Sequence, residues 1–203
     1  MKASENNLIL LNGIFITSLI VANIVSAKIV TFAGMVIPAA IVAYPLTFLM
    51  TDVIGELWGK EQANRTVRIG FWCQLISLLL IGLAILLPVA PFADNQEQFK
   101  GIMSSSFRVV FASMIAYLCS QSWDVWIFHK IRSKSTKHKW IRNNASTMTS
   151  QIIDTAIFIT IAFVGKVPNI WIMILSQYFI KVIYALLDTL PFYLMTKGSE
   201  ERV

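Results

Sequence analysis

The stretch SQSWDVWIFHKIRSKSTKHKWIRNNASTMTSQIIDTAIF, residues 120–158, decides the fold. A strongly basic run sits between two apolar ones. The apolar flanks repeat one phrase, SQSWDVWIF at 120–128 and SQIIDTAIF at 150–158, each Ser-Gln-x-x-Asp-x-x-Ile-Phe. Lys and Arg between long apolar segments mark a cytoplasmic loop joining two membrane helices. The run KIRSKSTKHKWIR at 130–142 is read first as a topological anchor, with lipid head-group binding as the second reading. The flanks then form an antiparallel hairpin.

The rest of the chain agrees. It has 203 residues, 56% hydrophobic and 14% charged, where a soluble domain is about 45–50% apolar and about 25% charged. Mean hydropathy is +0.67. An all-α integral membrane protein is expected. A spanning helix needs about 20 mostly apolar residues. Six blocks qualify, at about 8–27, 36–58, 67–89, 107–131, 141–164 and 168–195, forming a single transmembrane domain over 1–203. The first block lacks a small-residue cleavage pattern after it and is read as a retained helix.

The net charge is +6. In a soluble protein that balance suggests nucleic acid. Here the charge lies between apolar blocks, so no nucleic-acid partner is expected and the balance reports orientation. Of the 17 Lys and Arg, twelve fall on the side of the 130–142 loop and both chain ends. Four, Lys28, Lys100, Arg108 and Lys166, fall on the other, and Lys181 lies within the last block. Both termini are therefore expected in the cytoplasm. Cys73 and Cys119 fall inside apolar runs and read as small core residues rather than a disulfide framework.

Ionisable groups in hydrocarbon are costly, so each is a functional candidate. The first block carries Asn12, Asn23 and Ser26, the second Asp52 and Glu56, the fourth Gln121 and Asp124, and the fifth Gln151 and Asp154. The sixth carries Ser176, Gln177, Lys181 and Asp188. At 1.5 Å per residue, residue 122 is about 14 Å from the end of its block and residue 152 about 16 Å from the start of its own. Both motifs thus reach the midplane. The third Ser-Gln, in SQYFIK at 176–181, is about 13 Å from the outer end of its block. Ser and Asp four apart, and Gln and Asp three apart, share one helical face. That face points into the bundle or a wet cavity.

Two readings compete. Ser and Gln serve well as interhelical glue, worth about 0.6 kcal/mol each. Two central aspartates are poorly explained as glue and better as a ligand site at the midplane, where many transporters bind. Asp52 and Glu56 lie below Pro45, which is expected to kink their helix. They read as an ion pair with Arg65 or Arg68, an inner gate, or a proton-coupling pair.

SQxxDxxIF twice, LTFLMTDVIGELWG at 46–59, NIVSAKI at 23–29 and WIRNNASTMTSQIIDT at 140–155 resemble the queuosine-precursor transporter family, a group also described as vitamin-uptake transporters. The resemblance runs from about residue 8 to 195. It implies a bacterial inner-membrane importer of 7-deazaguanine bases, in the cyano or aminomethyl form or as queuine, used to make queuosine in tRNA. It also implies a six-helix fold similar to the substrate-binding subunits of energy-coupling-factor transporters.

The residues suit such a substrate. A carboxylate can accept from the N1–H and exocyclic amine of a guanine-like base. Gln can donate and accept at once. The expected binding set is Gln121, Asp124, Gln151 and Asp154, with Gln177 as a third wall, Lys181 balancing their charge, and Asn23 and Ser26 closing the site. Tyr44, Phe48, Trp72, Trp123 and Tyr178 are stacking candidates, although packing explains any single aromatic as well. No cofactor or metal is expected. HExxH and GxSxG do not occur, and His129 and His138 have no catalytic partner in view, so an enzyme is not expected. The alternative is the substrate-binding membrane subunit of a larger energised transporter for another vitamin-like molecule. The expected partners are the small-molecule substrate and membrane lipid. The size is compatible with a homodimer, though no interface motif marks one.

Overall fold

The computed structural model describes residues 3–134, 139–187 and 189–196. These residues are mainly helical, in the order α1 (Glu5–Val25), β1 (Ile29–Phe32), β2 (Met35–Pro38), a 3-10 turn (Ala39–Val42), α2 (Tyr44–Trp58), α3 (Lys60–Leu86), α4 (Gln96–Lys134), α5 (Lys139–Phe163), α6 (Ile170–Leu187) and α7 (Thr189–Thr196). Three described stretches are long and apolar enough to cross a membrane: Glu5–Val25, Glu61–Leu86 and Gln96–Ser120. Met148–Phe163 and Ile170–Ile183 are shorter apolar helices. The helices expose Leu79, Leu80, Leu83, Trp171, Leu175 and Phe179. Such faces suit lipid, which needs no burial of apolar side chains. The protein is an all-α membrane protein in class.

The second expected span differs in its first part. Residues 29–38 form a β-hairpin rather than entering a helix. Ala33 and Gly34 take φ of 49° and 79°, the two positive values of a two-residue type I′ turn. The β-branched residues beside that turn, Ile29, Val30 and Thr31, favour a strand. Ala39 N–H donates to the Lys28 carbonyl at 2.8 Å and closes the base of the hairpin. The helix starts only at Tyr44, so Pro45 lies in its first turn. There Pro lacks no needed donor and its fixed φ suits the helix, and the expected kink is replaced by a helix start.

The chain divides into two compact units. Unit 1 comprises Met1–Val30, Pro38–Phe107 and Lys181–Val203; unit 2 comprises Thr31–Ile37 and Arg108–Ile180.

In unit 1, α1, α2 and α3 pack around Leu11, Phe15, Leu49, Met50, Val53 and Ile54. Phe192 and Met195 of α7 join this core. Pro191 stands in the first turn of α7, where it is tolerated. A single residue, Gly59 at φ 88°, joins α2 to α3, a left-handed conformation that glycine adopts without strain. Thr66 Oγ1 of α3 donates to Asn12 Oδ1 of α1 at 2.6 Å. One turn further, Gly70 lies against Phe15 and Leu19. Residue numbers rise together along this seam, so α1 and α3 run parallel.

In unit 2, Arg108 ties α4 to the end of α5. Its Nε donates to the Ile161 carbonyl at 2.6 Å and its Nη2 to the Val164 carbonyl at 2.8 Å. α4 ends at Lys134 and α5 begins at Lys139, so the two helices return on each other as an antiparallel pair.

Candidate functional site

The Arg108 tie fixes a register. Residue 108 stands opposite residues 161–164. Stepping down both helices at 1.5 Å per residue brings Ser120 and Gln121 to the level of residues 148–152. The two Ser-Gln pairs, 120–121 and 150–151, therefore lie at one level of the hairpin. The short link from 134 to 139 leads to nearly the same pairing from the other end. Ser120 and Ser150 are both buried. The Ser120 hydroxyl donates to its own helix at the Tyr117 carbonyl, 3.1 Å.

The aspartates do not share that level. Each follows its serine by four residues, but the helices run in opposite directions. Asp154 lies about one turn toward the Arg108 end and Asp124 about one turn toward the 134–139 link. Their backbone positions are about 10 Å apart along the hairpin. The Ser-Gln pairs share a level along the hairpin, and the backbones of the two aspartates do not.

The other candidates of unit 2 are Gln177, Tyr178 and Trp123. Gln177 of α6 is 5% exposed, and its Oε1 is buried without a hydrogen bond. Tyr178 is half-buried beside it. Trp123 leans on Trp126 at 5.1 Å between ring centroids, and Lys130 Nζ lies 4.2 Å from the Trp126 ring. Leu118, Cys119, Ser122, Trp123 and Trp126 line an open groove of about 510 Å³. Asp154 is half-buried on α5, as is Gln151, whose carbonyl accepts from Thr155 Oγ1 at 2.8 Å. The side chains of Gln121 and Asp124, and the whole of Asp188 and His138, lie outside the described residues.

Asn23, Ser26, Lys181, Tyr44, Phe48, Trp72, Asp52 and Glu56 belong to unit 1. Asn23 and Ser26 are buried, and Tyr44 is half-buried near the 3-10 turn. Asn23 Nδ2 donates to the Leu19 carbonyl at 3.0 Å. Lys181 is half-buried on α6, one turn beyond Gln177. Asp52 and Glu56 are exposed on α2. Trp72 is 64% exposed and lies two residues from Gly70, so it turns away from the α1 seam and from Asn23 and Ser26.

Two residues were missed from the sequence. Gln74 is buried in α3 and its Oε1 has no hydrogen bond. A lone amide within WCQLISLLL is its signal. From the sequence Arg108 is only one of the few cations expected on the outer side; in the structure it ties α4 to the end of α5. Among the described residues, no group of three or more His, Cys, Asp or Glu could hold a metal ion.

A helical membrane protein with amides, hydroxyls and carboxylates inside its apolar helices has the makings of a small-molecule carrier. Residues 38–195 match the model of the family described as "Putative vitamin uptake transporter", and the chain belongs to that family. The family is one of transporters, not enzymes.

The chain is 34% identical over 176 residues to the "Probable queuosine precursor transporter" of Bacillus subtilis (strain 168), covering 84% of this chain and 76% of that protein. It is 28% identical over 160 residues to the "Queuosine precursor transporter" of Escherichia coli (strain K12), covering 74% and 68% respectively. A "Probable queuosine precursor transporter" of Haemophilus influenzae is 27% identical over 126 residues, 59% of this chain and 49% of its own length. No solved structure matches the chain.

Proposed function

We propose that the protein is a bacterial inner-membrane importer of queuosine precursors, 7-deazaguanine bases in the cyano or aminomethyl form or queuine, for tRNA modification. The observation that carries the substrate class is the 34% identity, over 84% of the chain, to the Bacillus protein of that name. The chemistry of the polar residues supports it. Carboxylates accept from paired N–H donors of a guanine-like base, and amides read a carbonyl beside a ring N–H.

The proposed binding set is Gln121, Asp124, Gln151 and Asp154, with Gln177 beside them and Lys181 supplying positive charge. Trp123 and Tyr178 are its stacking candidates. Tyr44 and Phe48 remain candidates in unit 1. The proposed architecture is a single domain of six spanning helices, similar to energy-coupling-factor binding subunits, with both termini cytoplasmic. Asp52 and Glu56 are proposed to gate the inner side or couple protons. Uptake that ignored an uncoupler would remove the proton role.

The test is uptake of radiolabelled base in a bacterial strain unable to make it. Changing Asp124→Asn together with Asp154→Asn should abolish uptake while the protein still reaches the membrane. Unchanged uptake would remove both aspartates from the site. The family description, vitamin uptake, keeps a second reading in view: a binding subunit of a larger energised transporter for another vitamin-like molecule. Uptake by the purified protein alone in liposomes excludes that reading, and uptake only with added partner subunits supports it.

A further inference from the structure

The α1–α3 seam of unit 1 carries its own polar layer. Thr66 and Gly70 face α1, through Asn12 and through Phe15 and Leu19. Gln74 continues that row at the next turn of α3, so it faces α1 as well. Because Gly70 meets Phe15 and Leu19, Gln74 comes level with residues 19–23. Asn23 continues the α3-facing row of Asn12 and Leu19 on α1, and Ser26 lies about one turn beyond. All three are deeply buried: Gln74 is 6% exposed, Asn23 3% and Ser26 0%.

Their hydrogen bonding is incomplete. Asn23 commits its Nδ2 to the Leu19 carbonyl. Gln74 Oε1 and Ser26 Oγ are buried and make no hydrogen bond. Leaving a buried acceptor unmet costs about 1–3 kcal/mol, and an apolar side chain at either position would remove that cost. Beside Ser26 the walls are small. Ala22, Ala40 and Ala43 pack together there with Tyr44 and Val25.

We infer that Gln74, with Ser26 and Asn23, forms a second substrate-reading site that receives N–H donors of a planar heterocyclic base. Gln74 Oε1 and Ser26 Oγ are its acceptors, and Tyr44 is the aromatic side chain packed against the neighbouring Ala22, Ala40 and Ala43. The inference rests on the reading of the chain as a carrier of 7-deazaguanine bases; it adds Gln74 and gives Ser26 and Asn23, which the sequence places as closing the first site, to a site of their own. Acceptors without partners select compounds by their donors. An analogue lacking the donor leaves them unmet, so the penalty falls on the wrong compound rather than the right one.

The experiment compares wild type with Gln74→Met and Ser26→Ala, purified in detergent. Melting temperature is read without ligand. Affinity is then read for 7-cyano-7-deazaguanine, for its N9-methyl form and for the analogue without the exocyclic amine. The expected result has two parts. Both variants melt at or above wild type without ligand, because each removes an unmet buried acceptor. Both bind the full base about tenfold more weakly, with the preference over at least one donor-deleted analogue reduced. Affinity and preference within twofold of wild type overturn the inference, as does a lowered melting temperature with affinity unchanged, which marks a purely structural role. If Gln74→Met fails to fold, Ser26→Ala alone decides by the same readings. A wild-type protein that binds none of the three compounds overturns the carrier reading, and this inference with it.

Discussion

Arg108 caps a helix that begins 31 residues after it: its Nε reaches the carbonyl of Ile161 at 2.6 Å, within the last turn of α5. The last carbonyls of a helix have no intrahelical donor. Here Phe163 receives Lys166 N–H, while Ile161 and Val164 receive the guanidinium. The cation also sits at the negative end of the helix dipole.

Arg108→Met should therefore lower the melting temperature in detergent by several degrees, since hydrogen bonds to a charged group contribute about 1.5–3 kcal/mol each. Arg108→Lys restores the charge without the two-pronged geometry and should fall between the two. A methionine variant that melts like wild type would show that the tie adds nothing.

The register can be tested by cross-linking. In a background lacking Cys73 and Cys119, Ser120→Cys with Ser150→Cys should form a disulfide under mild oxidation. Asp124→Cys with Asp154→Cys should not, because their Cα atoms lie beyond the roughly 7 Å limit of a disulfide. The reverse pattern would refute the level assignments of both motifs.

Glycine substitutions should split by position. A Cβ at Gly70 would lie 2.6 Å from Phe15 Cε1 and 3.2 Å from Leu19 Cδ2. Gly70→Ala must push α1 and α3 apart or force an off-rotamer Phe15, at about 1–3 kcal/mol. At Gly13 a Cβ would meet nothing within 4 Å. Gly13→Ala should leave stability unchanged or raise it by up to about 1 kcal/mol, the helix-propensity difference. Thermal unfolding of the two single variants checks both signs.

Asn12 and Thr66 should be energetically coupled. Thr66 is fully buried and its hydroxyl donates to Asn12 at 2.6 Å. A double-mutant cycle of Asn12→Leu and Thr66→Val should return a coupling of about 0.6–1.7 kcal/mol, the range for hydrogen bonds between membrane helices. Additive effects would mean that the bond contributes nothing to the α1–α3 seam.

Much of this organisation is visible in the sequence, and the gaps have physical causes. Apolar length marks α1 and α3 because lipid demands it. It does not find the ends of α4, which runs from Gln96 to Lys134 although only part of that length is apolar. A helix continues wherever its backbone bonds do, whatever the solvent. The hairpin at 29–38 hides inside an apolar run because four-residue strands show no usable period. The repeated Ser-Gln-x-x-Asp phrase pointed to a polar layer in α4 and α5. The 10 Å offset between the aspartates (about seven residues of rise) needed the direction of each helix as well as its spelling. Gln74 escaped because one amide in an apolar stretch looks like incidental glue until its burial and missing partner are known.

The opposed directions of α4 and α5 have one more consequence. Turning the hairpin end over end exchanges 120–128 with 150–158, so the same phrase is read from either end of the hairpin. On the proposed reading, a base arriving from either face passes a carboxylate, then the Ser-Gln layer, then a second carboxylate. Such a path is a palindrome and carries no arrow of its own. On that reading, net import is set by what consumes the base inside the cell, or by ion coupling at charges outside the palindrome such as Asp52, Glu56 and Lys181.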